Sequence, residues 1–523
     1  MLKQFLRTAG LLVTASVLST LWAQDPPTTT PIKYVVVIFQ ENNSFDHYFG
    51  TYPSALCPAG TASTPAICSE FPASGESPFV ALQNTPSVNG ITPAVSNLNA
   101  VAPFRLDRSQ ALTCDNNNGY NAEQVAYNSG QVNQFPSTSG TSEVTKGTPC
   151  TLDLSMGYYD GNTVTALWNY AQYFAMSDNY FDTEFGVTEE GHQNLISGQT
   201  HTNSTVPSAA ITTGSVVNGT MIMNVEAGVD DCIVASGTST IPVIMTGTNI
   251  GDLLNSAGIS WGWFYGDFPE SGSSTTAITS TQCGTTPSGS SYNSHYAPFM
   301  YYETTSNQHH FSPSSPAAIG TSADPANHTY SLVDLMSALS AGNLPSVTFL
   351  KAPTPETGHP GKSTPLEEQT FLVDAINMLQ GTPFWPQMAI FITYDDSDGW
   401  YDHVMPPIVN QSTDAANDVV AGSTLLCGTP QAGAYLDRCG YGTRLPLLAI
   451  SPYAKQNYVD HALTDTTSVL RFIEDNWNLG RLGNQSFDAL AGTLNGLFDF
   501  TDKPRPGREL ILDPNAGTVV TAQ

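Results

Sequence analysis

Basic residues are scarce in this chain of 523 residues: Lys and Arg total 16 against 45 Asp and Glu, a formal net charge of -29. That sign argues against nucleic acid, whose capture is driven by cationic contacts to phosphate, and against passive adhesion to anionic membranes. An anionic substrate would therefore depend on local positive charge, such as a bound metal. Charged residues of either sign make up only 12% of the chain, so the surface reads as sparsely charged and rich in Ser, Thr and Gly, a composition suited to acid. Beyond the first two dozen residues no apolar run reaches the roughly 18 residues that a membrane span needs. The paired CxxC spacing of a zinc site is missing too.

Lys3 and Arg7 precede the apolar run "AGLLVTASVLSTLWA" and then "QDPPTTTP". This reads as an export signal over residues 1–23, cut near Ala23, with no twin-Arg pair ahead of the run. The expected location is secreted or periplasmic. Eight cysteines follow, in near-neighbour order Cys57 and Cys68, Cys114 and Cys150, Cys232 and Cys283, Cys427 and Cys439. An even number in an oxidising compartment favours disulfides, although the spacing fixes no connectivity.

Apolar runs alternate with helical patterns, which predicts an α/β sheet sandwiched by helices. Strands are expected at residues 33–39, 173–177, 259–265, 346–350, 388–394 and 445–450, most of them continuous and aliphatic or aromatic as doubly covered parallel strands are. Helical spacing appears in Val164, Leu167, Trp168 and Ala171, in Leu332, Leu335, Met336 and Leu339, in Leu372, Ile376 and Leu379, and in Val469, Phe472, Ile473 and Trp477. Gly342 and Gly381 stand where two of these helices would stop. Residues 53–155, 203–245 and 267–328 read as loop-rich inserts of lid or disulfide-tied character. One catalytic domain over residues 24–485, with 486–523 as a short irregular extension of it, accounts for the chain.

Ligand crevices in open α/β sheets lie at the carboxyl ends of strands. Two predicted strands end in oxygen donors: "VVVIFQEN" in Glu41 and Asn42, "MAIFITYDD" in Asp395 and Asp396. Taken singly, each reads more readily as a turn or helix cap. Converging together, they would repel one another unless a hard divalent cation sat between them. Thr188 precedes the helical stretch 189–197, where a hydroxyl is an N-cap by local preference. A helix N-terminus also presents N–H groups to phosphate, and a metal-activated Thr188 could act as a nucleophile.

The segments "ENNSFDHYFG", "GYYDGNTVTALWNYAQ", "FGVTEEGHQNLISGQT", "ITYDDSDGWYDHV" and "RLPLLAISPYAKQNYVDH" resemble, in order, blocks of the bacterial phosphoesterase family that holds acid phosphatases and phosphatidylcholine-type phospholipases C. The resemblance implies an alkaline-phosphatase-like α/β fold with a mixed, mostly parallel sheet and one divalent metal cation. It implies Glu41, Asn42, Asp395 and Asp396 as metal ligands, with Thr188 as nucleophile and further ligand. By the same resemblance His359 stands near the leaving-group oxygen, while His295 and Asn42 contact the phosphoryl group. A histidine near its titration point at mildly acidic pH can protonate a departing alkoxide. His47, His403 and His461 are expected to make scaffold hydrogen bonds.

Two departures stand out. Asn118 lies near where relatives commonly carry a phosphate-binding His, and Glu189 and Glu190 follow Thr188 where acid-phosphatase relatives have a small residue and Pro. A negative pair there is expected to repel an incoming dianion. Without added C-terminal modules, the chain is expected to be an acid phosphatase acting on phosphomonoesters through a phosphothreonine. Its alternatives are a phospholipase C and a non-catalytic, metal-stabilised surface-binding protein. The expected partners are a small phosphate ester or a phospholipid head group, with no protein partner.

Overall fold

The computed structural model describes residues 27–54, 79–91, 98–140, 144–145, 148–201, 216–217, 220–221, 224–236, 242–411, 433–501 and 508–523. The export signal, Cys57, Cys68 and Cys427 lie outside the described residues. An eight-stranded sheet organises the rest. Its strands are β1 (Tyr34–Gln40), β2 (Ala175–Ser177), β3 (Trp261–Tyr265), β4 (Thr329–Ser331), β5 (Val347–Lys351), β6 (Met388–Tyr394), β7 (Leu447–Ile450) and β8 (Tyr458–Asp460). They lie in the order β4-β3-β5-β1-β6-β7-β2-β8. Only β7 runs against the others. The central strands are buried along their length because Val, Ile and Phe fill both faces, as β-branched and aromatic residues do on a doubly covered pleated surface.

Register places the chemistry. Strand β1 pairs in parallel with β5 (Ile38 opposite Leu350) and with β6 (Gln40 opposite Tyr394). The three strands therefore finish side by side, and the next residues out are Glu41 and Asp395, beside Lys351 at the end of β5. Because β7 is reversed, its beginning, with Arg444 just ahead of it, falls at the same edge.

The principal helices are α1 (Phe45–Phe49), α2 (Thr165–Tyr173), α3 (Thr188–Ser197), α4 (Leu332–Ser340), α5 (Pro365–Gln380) and α6 (Thr467–Trp477). Helix α5 opens on a capping box, with Thr364 accepting from the Glu367 N–H and Pro365 in the first turn, where a missing N–H costs nothing. The predicted strand at 173–177 shortens to β2 because α2 continues through Tyr173. The short β4 and β8 were not predicted: three residues carry no readable alternation. Residues predicted as an irregular tail instead form a hairpin, Leu510–Leu512 against Val519–Ala522. It is held on α5 by the Gln380 and Asn377 side chains, which donate to the carbonyls of Leu510 and Leu512 at 2.9 Å each. Disulfides join Cys114 to Cys150 and Cys232 to Cys283, tethering the inserts.

Burial holds the carboxyl groups of a core residue, Glu368, and a partly buried one, Glu270, above the usual range. Burial raises Glu368 to about 8 despite hydrogen bonds from Tyr394 and Tyr48, and raises Glu270 to about 9 with help from Asp334. Each starts from an ordinary value of 4.5. Their stabilising contribution is thus complete below that value and is lost as pH rises through the folded value. The melting temperature should be highest near pH 5 and lower by about 5 °C or more at pH 8.5. A scan showing equal or rising stability over that range would contradict this.

Candidate active site

Beyond the strands, the β1 and β6 backbones stay locked together. The Asp395 N–H donates to Gln40 O (3.2 Å) and the Asn43 N–H to Asp396 O (2.8 Å). Asn42 sits between them in the left-handed region, φ 46°, which Asn tolerates better than most residues. That turn aims its N–H at Asp395 Oδ1 (3.0 Å) and its amide at Asp396 Oδ2 (3.2 Å).

Helix α3 delivers Thr188. Val187, not Thr188, occupies the cap position, and the Glu190 carboxylate takes the Val187 N–H at 3.1 Å. The Thr188 hydroxyl is thereby left to donate to Asp396 Oδ2 at 3.3 Å. The helix comes this close because residue 191 is glycine: a β-carbon there would lie 2.0 Å from the Asp395 carbonyl oxygen. Asp396 is the hub, since its Oδ1 also accepts from Asn118 Nδ2 (3.0 Å) and from the Asp398 N–H (2.7 Å). Glu41, Asn42, Asp395, Asp396, Thr188 and Asn118, scattered in sequence, thus meet at one edge of the sheet.

All but Asn118 are buried, and several of their polar atoms have no hydrogen-bond partner: Glu41 Oε2, Asn42 Oδ1 and Asp395 Oδ2. Buried polar atoms are rarely left so. Burial, then the neighbouring Asp395, raises Glu41 to about 8, with Lys351 opposing. Burial also raises Asp395 and, together with Asp395, lifts Asp396 well above the usual carboxylate range. Orphaned oxygens on carboxyls that cannot all ionise unaided form a donor set that fits a divalent cation. The set is not purely oxygen: Glu41, His192 and Asp395 offer one ligand atom each within 4.8 Å of one another. Neither of the other two such groups is open. In one, Cys232 is bonded to Cys283; in the other, Asp46 and Asp402 are already paired with Arg444.

His359 and His295 lie outside this hydrogen-bonded network. Among the described residues, neither hydrogen-bonds to Thr188, Glu41, Asn42, Asp395 or Asp396. The His359 loop is anchored beside β1 through Thr357, whose carbonyl accepts the Glu41 N–H at 3.1 Å. His359 Nδ1 faces Pro360 O at 2.7 Å, which leaves Nε2 for proton exchange. Burial, reinforced by Lys362, pushes this ring well below its ordinary value, and burial then Lys362 lowers His295 to about 4. Both shifts run below the titration point expected from sequence, because a desolvated ring beside a cation favours its neutral form. The predicted repulsion from Glu189 and Glu190 is muted as well. Burial lifts Glu189 well above its ordinary value, and it accepts from Tyr301 (2.7 Å) and Gln193 (3.0 Å). Glu190 is raised to about 7 by burial and lies 3.9 Å from Arg438.

His47 bonds Gly157 O, His403 bonds Asp46 and His461 bonds Asp178. Sequence reasoning missed two site residues. Lys351 is fully buried, ion-paired with Glu41 and 4.7 Å from the Tyr296 ring centroid. Its signal was a lysine closing the run "SVTFLK" at the edge where the acidic residues lie. His192 had no local signal beyond its place one turn after Thr188.

A sequence model of the phosphoesterase family matches residues 32–480. A non-hemolytic phospholipase C of Burkholderia pseudomallei (strain K96243) is 26% identical over 467 residues, covering 86% of this chain and 56% of that protein. A non-hemolytic phospholipase C of Pseudomonas aeruginosa is 24% identical over 502 residues, covering 94% of this chain and 61% of the relative. Phospholipase C A of Mycobacterium tuberculosis is 23% identical over 510 residues, covering 94% and 82% respectively. The chain thus spans about three fifths of the length of the first two relatives.

Proposed function

The chain belongs to the phosphoesterase family, and on that premise we propose that it is a metal-dependent phosphoric ester hydrolase of the phospholipase C type, acting on phosphatidylcholine-like lipids. The observation that carries the hydrolase reading is the Thr188 hydroxyl on Asp396, beside orphaned oxygens of Glu41, Asn42 and Asp395. The substrate class rests on the names of the relatives, which favour phospholipase C over the phosphomonoesterase expected from sequence. The Cys114–Cys150 and Cys232–Cys283 disulfides support an oxidising compartment outside the cytoplasm. Among the described residues no helix is long and apolar enough to cross a membrane.

Glu41, Asn42 and Asp395 would hold the cation, with Asp396 and Thr188 at its edge. When bound, a divalent ion neutralises charge on phosphoryl oxygens and lowers the pKa of an adjacent hydroxyl. Asp396 Oδ2 aims the Thr188 hydroxyl and takes its proton as the oxygen attacks phosphorus. The diacylglycerol oxygen leaves with a proton from His359, whose ring takes that proton up only when the substrate's anionic phosphodiester offsets the nearby lysines. Water then cleaves the phosphothreonine, releasing the phosphorylated head group and restoring the Thr188 hydroxyl. Asn42, Asn118 and His295 orient the phosphoryl group, and Lys351 supplies positive charge, so the protein's task is chiefly positioning and charge stabilisation.

Purified protein should release diacylglycerol from phosphatidylcholine, lose that activity in chelator and regain it with a restored divalent ion. Faster turnover of a chromogenic phosphomonoester would return the protein to the acid phosphatase reading. Inactivity on both substrates with every divalent ion would leave the non-catalytic binding protein.

A further inference from the structure

The imidazole of His192 has no role in the steps above, yet it is fully buried against the cluster. It lies one helical turn beyond Thr188, and its Nδ1 is 2.8 Å from the Thr188 carbonyl oxygen. A carbonyl only accepts, so Nδ1 carries the hydrogen and Nε2 the lone pair. That lone pair has no hydrogen-bond partner. Nε2 lies 3.9 Å from Glu41 Oε1, and the other ring nitrogen lies 3.7 Å from Asp395 Oδ2. The Phe39 ring meets the imidazole edge-on at 4.9 Å and Tyr296 stacks at 5.8 Å, so packing fixes the orientation of the ring. Among the described residues no donor reaches Nε2. A backbone carbonyl on one nitrogen and an open lone pair on the other, among carboxylates, is how metal-ligating histidines are held.

We infer that His192 is a nitrogen ligand of the cation held by Glu41 and Asp395, and that this imidazole turns the site from Mg²⁺ and Ca²⁺ toward a borderline ion of the Zn²⁺ class. Carboxylate and carbonyl oxygens alone suit hard cations, whereas imidazole suits zinc and its first-row neighbours. The inference rests on the metal-dependent reading above and refines the all-oxygen site that the sequence implies.

The test reads metal binding, not turnover. Chelator-stripped wild type and His192→Gln are titrated separately with Zn²⁺ and Mg²⁺, and the Zn²⁺-loaded proteins are examined by X-ray absorption. Wild type should show imidazole scattering around zinc, and the variant should lose it. The variant should bind Zn²⁺ at least about 10-fold more weakly, while Mg²⁺ affinity changes much less. His192→Asn and melting curves of both stripped variants check that folding persists. Zinc bound without imidazole scattering, or equal losses for the two ions, overturns the ligand role and leaves the hydrolase reading standing. A wild type that binds no divalent ion sinks both.

Discussion

Replacing Thr188 by Ala should lower phospholipid turnover by at least about 1,000-fold while leaving the protein folded. The hydroxyl caps no helix, since Val187 holds that position and Glu190 satisfies its N–H. Asp396 Oδ2 keeps its hydrogen bond from Asn42 when Thr188 is shortened. Stability should therefore fall by only about 1 kcal/mol, the net value of one hydrogen bond. Thr188→Ser keeps a nucleophilic oxygen and should retain measurable turnover. Diacylglycerol release from phosphatidylcholine, measured beside a melting curve, separates the two effects. Full activity in Thr188→Ala would end the nucleophile assignment and leave a metal site without covalent catalysis.

The second large effect is structural. Arg444 is fully buried, with Nε 3.1 Å from Asp402 and an Nη 3.0 Å from Asp46. Its remaining donors reach the carbonyls of Asn89 (2.7 Å) and Asp178 (2.9 Å). The guanidinium lies 4.2 Å from the Phe45 ring centroid. Asp46 belongs to α1, just after the Glu41–Asn42 turn, and Asp402 follows the Asp395–Asp398 turn, so this one side chain clamps both halves of the candidate site. Its removal takes the guanidinium from two buried carboxylates, and breaking a buried pair from one side costs about 3–5 kcal/mol. Arg444→Ala should show a loss of that size in chemical denaturation, with weakened divalent-ion binding. Arg444→Lys should recover part of the stability, because an ammonium cannot reach both carboxylates and both carbonyls at once. An unchanged denaturation midpoint in Arg444→Ala would show that the network contributes nothing.

What the sequence revealed depended on whether a residue's neighbours in the chain are also its neighbours in space. The central strands were readable because "YVVVIF" and "MAIFITY" are buried on both faces and so are apolar without interruption. Glu41 and Asp395 were readable because polarity begins abruptly where those runs end. Thr188 could be placed at a helix start, but whether its oxygen capped the helix or met Asp396 depended on Glu190 folding back to take the cap's N–H. The downward pKa shift of His359 was hidden for a different reason: it arises from burial and from Lys362 acting through space. Similarly, Glu189 and Glu190 looked like a negative pair because the chain does not disclose that Tyr301 and Arg438 face them. Arg444 lay inside a recognisable block, yet its four partners come from four other segments.

The near-contact between Gly191 and the Asp395 carbonyl has a further consequence. It makes the separation between the reactive oxygen and the acidic cluster a property of the main chain rather than of side-chain rotamers. Exchanging residues elsewhere can alter which molecules enter, but it cannot easily detune that spacing. A change of specificity made in the long inserts would therefore leave the approach of Thr188 to Asp396 as it is.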